Sequence, residues 1–306
     1  APMWRRLLVT GVLLIPFASG PAAQQRAATP SRELVGTWTL VSMPRGTDPA
    51  VTNPRGMLAF DRAGHAIEIA TRGGRTQGAE PQATFASYAG FWGGYRVDEA
   101  QRTIVFRPDG AVNPNAMGRD LARSYEMADD RLTITAPPDA PATEKGMRWV
   151  WERVPPLENL SAAQRRVVGF WQHVVERREN AQTGATISET RRAPSVIVYT
   201  PSGYVGVHFP PLNRKPFAGE LPTAEEARAA IGGYVGYYGV YLLYPGAVHH
   251  HQLASLNGNV VSFRRFFEID GSELNLRFPP AMAGDQMVRT RVTLKRLSGE
   301  SDMLPR

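Results

Sequence analysis

Leu34-Val35-Gly36-Thr37-Trp38 opens one stretch of the chain, and Val168-Gly169-Phe170-Trp171 opens a second about 133 residues later. Two further landmarks recur in the same order. Tyr88-Ala89-Gly90-Phe91-Trp92-Gly93-Gly94-Tyr95 is echoed by Tyr234-Val235-Gly236-Tyr237-Tyr238-Gly239-Val240-Tyr241, and Arg123-Ser124-Tyr125-Glu126-Met127 by Arg265-Phe266-Phe267-Glu268-Ile269. Similarity at a nearly constant offset means one fold used twice. The 306 residues then divide into two domains of ordinary size, each long enough to bury its own core.

Between the landmarks lie short runs of Val, Ile, Leu, Thr and aromatic residues, punctuated by 29 glycines and 25 prolines. This is a β-rich pattern. Each repeat starts with a short helical entry, and Ser161 and Gln164 have the spacing of a capping box. Thr37 to Ser42 and Phe170 to Val175 then read as strands. Side chains alternate faces along a strand, so Trp38, Leu40 and Ser42 share one face, and Trp171, His173 and Val175 share its counterpart. A hairpin follows in each half, turning at Arg62-Ala63-Gly64 and at Pro201-Ser202-Gly203. A helix comes next, around Ala83 to Tyr88 and from Thr223 to Ala230, and then the strands resume. About eight sequential strands plus one helix per repeat close naturally into an up-and-down antiparallel barrel, which leaves no sheet edge exposed. Such a barrel holds a small ligand or its own side chains. The expected fold is mainly β, two tandem barrels at 34–154 and 167–298, joined by a linker at 155–166 short enough for the barrels to touch, with a tail at 299–306.

The motifs Leu34-Val35-Gly36-Thr37-Trp38-Thr39-Leu40-Val41-Ser42, the Tyr-x-Gly-x-Tyr segment and the paired histidines of Val248-His249-His250-His251 resemble the bacterial and fungal lipocalin-like domain family. The first copy has Val105-Phe106-Arg107 where the family carries histidines, and the second copy lacks the Leu-Val-Ser of the opening motif. The resemblance covers nearly all of the mature chain. It implies lipocalin-type barrels with a cavity for a hydrophobic ligand. Other tandem lipocalin-like proteins are pericyclases or carotenoid hydratases, so the resemblance also allows an isomerase, cyclase, hydratase or lyase.

The charge is +7, from 35 basic and 28 acidic residues, and only Lys145, Lys215 and Lys295 among the basic ones are lysines. The arginines are scattered and accompany no nucleic-acid motif, so no nucleic-acid partner is expected. Arg5-Arg6, the apolar run from Leu7 to Ala18 and the small residues to Ala23 read as an export signal over 1–23, followed by a leader over 24–33. This places the protein in the periplasm or outside a bacterial cell, with no integral membrane domain once the signal is removed. With no cysteine there is no disulfide, no thiol chemistry and no thiolate metal site. The residues do not define an oligomeric state.

Of six histidines only His65 lies in the first repeat. That asymmetry points to a pocket in the second barrel. Its expected lining is Trp171, His173, His208, Tyr204, Tyr241 and Arg265, around an apolar small-molecule ligand or substrate. Acid–base chemistry there would fall to His249 and His251 with Tyr238, and Glu268 would orient an imidazole. No cofactor is favoured. The alternative is a divalent metal held by His173, His208 and His249, a donor set suited to zinc, iron or copper. Arg123 and Arg265 are expected to lie across Trp38 and Trp171 as structural cation–π pairs, with binding of a ligand carboxylate as the alternative.

Overall fold

The computed structural model describes residues 31–44, 53–75 and 78–305. The segments assigned above to an export signal and to most of the leader lie outside these residues. The first barrel is built from β1 (Gly36–Ser42), β2 (Arg55–Phe60), β3 (His65–Thr71), helix α1 (Pro81–Ala86), β4 (Tyr88–Asp98), β5 (Thr103–Ala111), β6 (Leu121–Ala128), β7 (Arg131–Thr135) and β8 (Arg148–Val154). Every strand pairs antiparallel with its sequence neighbour, and β8 returns to β1 to close the sheet. The second half starts with helix α2 (Ala162–Val167), β9 (Gly169–Asn180), β10 (Thr186–Thr190), β11 (Val196–Tyr199), β12 (Tyr204–Phe209) and helix α3 (Ala224–Ile231). It continues with β13 (Val235–Tyr244), β14 (Ala247–Ser255), β15 (Ser262–Asp270), β16 (Glu273–Arg277), β17 (Ala281–Ala283), β18 (Gln286–Arg296) and helix α4 (Glu300–Met303). It closes through β9 against β18. Its sheet has ten strands, two more than one closed turn needs. The additions, β10 and β17, are hairpin arms on the long ends of β9 and β18.

The repeated opening motif has one physical cause in both copies. Trp38 Nε1 donates to the Leu34 carbonyl and Trp171 Nε1 to the Val167 carbonyl, so each indole locks the turn that enters its barrel. Over each indole lies an arginine of the last strand: Arg153 stands 4.0 Å from the Trp38 ring centroid and Arg296 stands 4.0 Å from that of Trp171. These guanidiniums also donate to entry-turn carbonyls, Arg153 to Val35 and Arg296 to Val168. The expected stacking of Arg123 and Arg265 on these tryptophans is therefore corrected. Those two lie further along the barrel interiors, and closing a barrel brings its last strand, rather than β6 or β15, beside its first. The motif glycines sit at φ +130° and +135°, a region that favours glycine. A Cβ at Gly169 would stand 2.0 Å from the Ser298 carbonyl oxygen.

Three apolar layers result. One fills the first barrel around Trp38, Phe60, Phe106 and Trp151, and another fills the second around Trp171, Tyr199, Tyr237 and Tyr241. The third lies between the barrels. There the outward faces of β2, β3 and β4, with Met57, Ile67, Ile69 and Trp92, pack on Phe170, Val196, Val198 and Tyr238 of the second half. This explains why Gly56 to Phe60, Ala66 to Thr71 and Val196 to Tyr199 are buried without alternation: the strands are covered on both faces. Helices α1 and α3 pack together above the same seam, and Phe85 meets Phe217 edge-on at 5.3 Å.

Candidate functional site

In the first barrel, inward parity on β3 puts Ala66, Glu68 and Ala70 inside, and on β6 it puts Arg123 and Tyr125 inside. The two alanines belong to the packed core of the barrel, and Glu68 itself faces the cavity. Arg123 NH1 donates to Glu68 Oε2 at 2.8 Å. Its Nε and NH2 reach Glu144 Oε2 at 3.2 and 3.1 Å, from the loop before β8. Glu68 is 1% exposed and Arg123 3% exposed. The rings of Phe91 and Phe106 flank the guanidinium, 5.4 and 5.3 Å from its carbon. One cation is thus shared by two carboxylates in an apolar shell. Among the described residues, Oε1 of Glu68 and Oε1 of Glu144 receive no hydrogen bond.

These groups line a cavity of about 290 Å³. Its walls are apolar, with Met43, Phe85, Phe91, Leu121, Met147 and Trp149, and its roof is Leu221 and Pro222 from the second half. A more polar vestibule of about 460 Å³ adjoins it, lined by Asn115, Arg119, Asp139, Thr143, Glu144 and Glu220. The roof is pinned in several places. Gln82 Nε2 donates to the Pro222 carbonyl at 3.0 Å, Asn115 Nδ2 to the Gly219 carbonyl at 3.2 Å, and the Ala142 amide to Glu220 at 3.2 Å. Arg214 donates to the carbonyls of Ala111 and Val112. The second half therefore supplies the lid of the first.

Burial raises the pKa of Glu68, and the negative charge of Glu144 pushes the same way, while Arg123 opposes both. Burial works against the charge of Arg123, but Glu144 and Glu68 outweigh it and raise its pKa. A buried carboxyl with a raised pKa beside a cavity is chemically poised to exchange a proton.

The residues expected to line a pocket in the second barrel are placed otherwise. Trp171 is covered by Arg296, and the Tyr241 hydroxyl donates to the Thr200 carbonyl. The middle of that barrel is occupied by Tyr199, His250 and Tyr237, with the two phenol oxygens 2.9 and 2.8 Å from the two imidazole nitrogens. Arg265 lies between the rings of Phe263 and Phe278, 4.2 and 3.6 Å from their centroids. His173 points inward against Phe209, and burial together with Arg192 lowers its pKa to about 4. His208 lies in the seam between the barrels: Nδ1 is 2.7 Å from the Tyr234 hydroxyl, and Nε2 is 3.2 Å from the Glu68 carbonyl. Tyr204 and Tyr238 belong to the same seam.

His249 and His251 are on the outer surface of β14. His249 lies beside Tyr244, and His251 Nδ1 is 2.9 Å from Ser262 Oγ. The strand carries its histidines in alternation, so it is His250 that goes inside. Glu268 is exposed and faces Arg277. Hence His249, His251 and Tyr238 do not share a site, and His173, His208 and His249 do not converge on a metal. Among the described residues no group of three or more His, Asp or Glu is arranged to hold one. The residues expected around a second-barrel pocket are thus spread over that barrel's interior, the seam and the outer surface, while the cavity described above lies in the first barrel.

Two of the three residues at this site were not singled out from the sequence. Glu68 had a signal: a lone acid at an inward position of the apolar strand Ala66 to Ala70. Arg123 is expected from the sequence as a structural side chain first and a ligand-carboxylate partner second. Glu144 sits in an irregular loop, where no periodicity assigns a direction.

The architecture is a pair of ligand-binding-type β-barrels, with a cavity closed by the partner half. The lipocalin-like domain family matches residues 35–154 and 168–297, and the chain belongs to that family in two copies. No curated protein matches the sequence. Among solved structures, a protein of unknown function from Nostoc punctiforme PCC 73102 is 10% identical, covering 86% of this chain and 96% of its own, with a TM-score of 0.21. A candidate outer membrane protein from Bacteroides fragilis NCTC 9343 is also 10% identical, covering 87% of this chain and 98% of its own, with a TM-score of 0.23. Likeness at that level carries no information on ligand or location. Among the described residues no helix is long and apolar enough to cross a membrane.

Proposed function

We propose that the protein binds an apolar small molecule in the first barrel, with a polar end of the ligand against Glu68, Arg123 and Glu144. The observation that carries this reading is the cavity of about 290 Å³ whose apolar walls end on the buried Glu68–Arg123 pair and the half-buried Glu144. Mostly apolar walls with a few convergent polar groups are the usual composition of a small-molecule site. Export to the periplasm or beyond is proposed with it, on the apolar run from Leu7 to Ala18. The test is ligand binding read by fluorescence of Trp149, in the protein and in an Ala89→Phe variant. Ala89 lines the cavity, and a phenyl ring there would occupy it. Binding should vanish in that variant and persist in Arg265→Ala. Binding that survives Ala89→Phe but is lost in Arg265→Ala would return the site to the second barrel.

A second reading, catalysis on such a molecule, is favoured by one observation: the raised pKa of a buried Glu68 facing the cavity. Here Glu68 would shuttle a proton in an isomerisation, hydration or elimination, and Arg123 would hold its orientation. Turnover retained in Glu68→Gln would remove this reading and leave the binding reading intact.

A further inference from the structure

The ion cluster of the first barrel is unbalanced in a way that selects the charge of its ligand. Glu68 and Glu144 together carry two negative charges when ionised, and Arg123 supplies one positive charge. The charged groups acting on Glu68 are those two neighbours. Of the other described elements around it, β4 contributes the Phe91 ring, and β12 contributes His208 on the backbone side, where burial keeps the imidazole neutral. Arg72 also lines the cavity, part exposed, and is not among the groups that shift Glu68. A surplus negative charge in an apolar enclosure is unstable unless a proton or another cation joins it. Among the described residues, each carboxylate keeps an oxygen free of donors to receive one.

The approach points the same way. In a chain of net charge +7, the vestibule is acidic: Asp139, Glu144 and Glu220 line it against a single Arg119. An entrance of one sign raises the local concentration of ligands of the other. The aromatic walls, Phe85, Phe91 and Trp149, suit the apolar body and favour a cation at their faces.

We propose that the ligand of the first barrel is an organic cation, an apolar amine whose ammonium group is bound between the free oxygens of Glu68 and Glu144. This rests on the reading of the cavity as a binding site. The ammonium supplies the positive charge that the cluster lacks. No covalent step is involved.

The experiment compares three probes of one shape: 1-naphthylmethylamine, 1-naphthylmethanol and 1-naphthoate. Titration calorimetry is run on the full chain and on Glu144→Gln and Ala89→Phe, with thermal melts confirming that each variant is folded. The amine is expected to bind at least about tenfold more tightly than the alcohol, as a charge-assisted hydrogen bond should provide. Naphthoate is expected to bind least. The preference should shrink in Glu144→Gln, and it should shrink in the parent protein as the pH is lowered and Glu68 takes up its proton. Equal affinity for amine and alcohol, both lost in Ala89→Phe, would overturn the proposal and leave the cavity reading standing. An amine preference unchanged in both Glu144→Gln and Ala89→Phe would place the amine elsewhere and overturn it. No binding of any probe would count against both.

Discussion

Arg123 is the residue on which the first barrel turns. Among the described residues its side chain is the cation paired with Glu68 and Glu144, so Arg123→Ala would strand the buried Glu68 and the half-buried Glu144. Breaking a buried pair in this way is expected to cost about 3–5 kcal/mol, measured by urea denaturation. Glu68→Gln should cost less, because Glu144 still faces the arginine. Protonation sets two opposite trends in stability. His208 and His250 are fully buried and held neutral, each with its pKa lowered to about 3 chiefly by burial. A depressed pKa means that the unfolded chain binds the extra proton. Their contribution is therefore present above the ordinary value of 6.5 and is lost as pH falls from there toward about 3. Each should remove roughly 1.4 kcal/mol per pH unit within that window. Urea midpoints measured from neutral pH downward should fall accordingly, and more shallowly in a His208→Gln, His250→Gln double variant. Glu68 acts in the opposite sense. Its folded pKa is raised, so its contribution is full below the ordinary value of 4.5 and is lost as pH rises through the folded value.

At the scale of the element, the most constrained point is the start of each first strand. Gly169 combines a positive φ with a carbonyl oxygen 2.0 Å from where a Cβ would sit. Gly169→Ala is expected to cost about 1–3 kcal/mol from the backbone alone, read as a lowered melting temperature. Gly184, also at positive φ but with nothing within 4 Å, should tolerate alanine better, leaving mainly the conformational term. The strands themselves were legible. The opening strand, the hairpin with its Gly turn, the capped helix after Thr223 and the later strands all appear near the expected positions, because strand alternation and turn chemistry are local. The arms β10 and β17 were not read, since Thr186 to Thr190 is exposed throughout and has no apolar face to announce it.

At the scale of the whole molecule, the two halves are interdependent. Strands buried on both faces, such as Ala66 to Thr71, have no solvent-compatible side when a barrel stands alone. Residues 31–156 expressed alone are expected to aggregate or melt early, since their exposed seam would be a large apolar patch. The lid adds a kinetic coupling. Arg214 ties the second half to the carbonyls of Ala111 and Val112 beside the cavity. Arg214→Ala should leave the fold intact and speed ligand dissociation several-fold, about as expected for the loss of a charge-assisted contact, as measured by stopped-flow fluorescence.

The doubling of the chain, its β-barrel class and the family to which it belongs were determined by the sequence alone, because repeats, alternation and turn residues are properties of neighbours along the chain. Histidine content points to the second half, whereas the cavity beside Glu68 lies in the first. Whether a barrel is hollow depends on the summed volume of side chains from eight strands, which no local pattern reports. Tyr199, Tyr237, Tyr241 and His250 meet inside the second barrel, whereas in the first a cavity lies beside Glu68, Arg123 and Glu144. Tertiary structure alone brought Glu144 to Arg123 and laid Leu221 and Pro222 over the cavity, since those contacts join residues far apart in the chain. The physical reason is that local periodicity sets which way a side chain points, and only closure and docking of the barrels set what it meets.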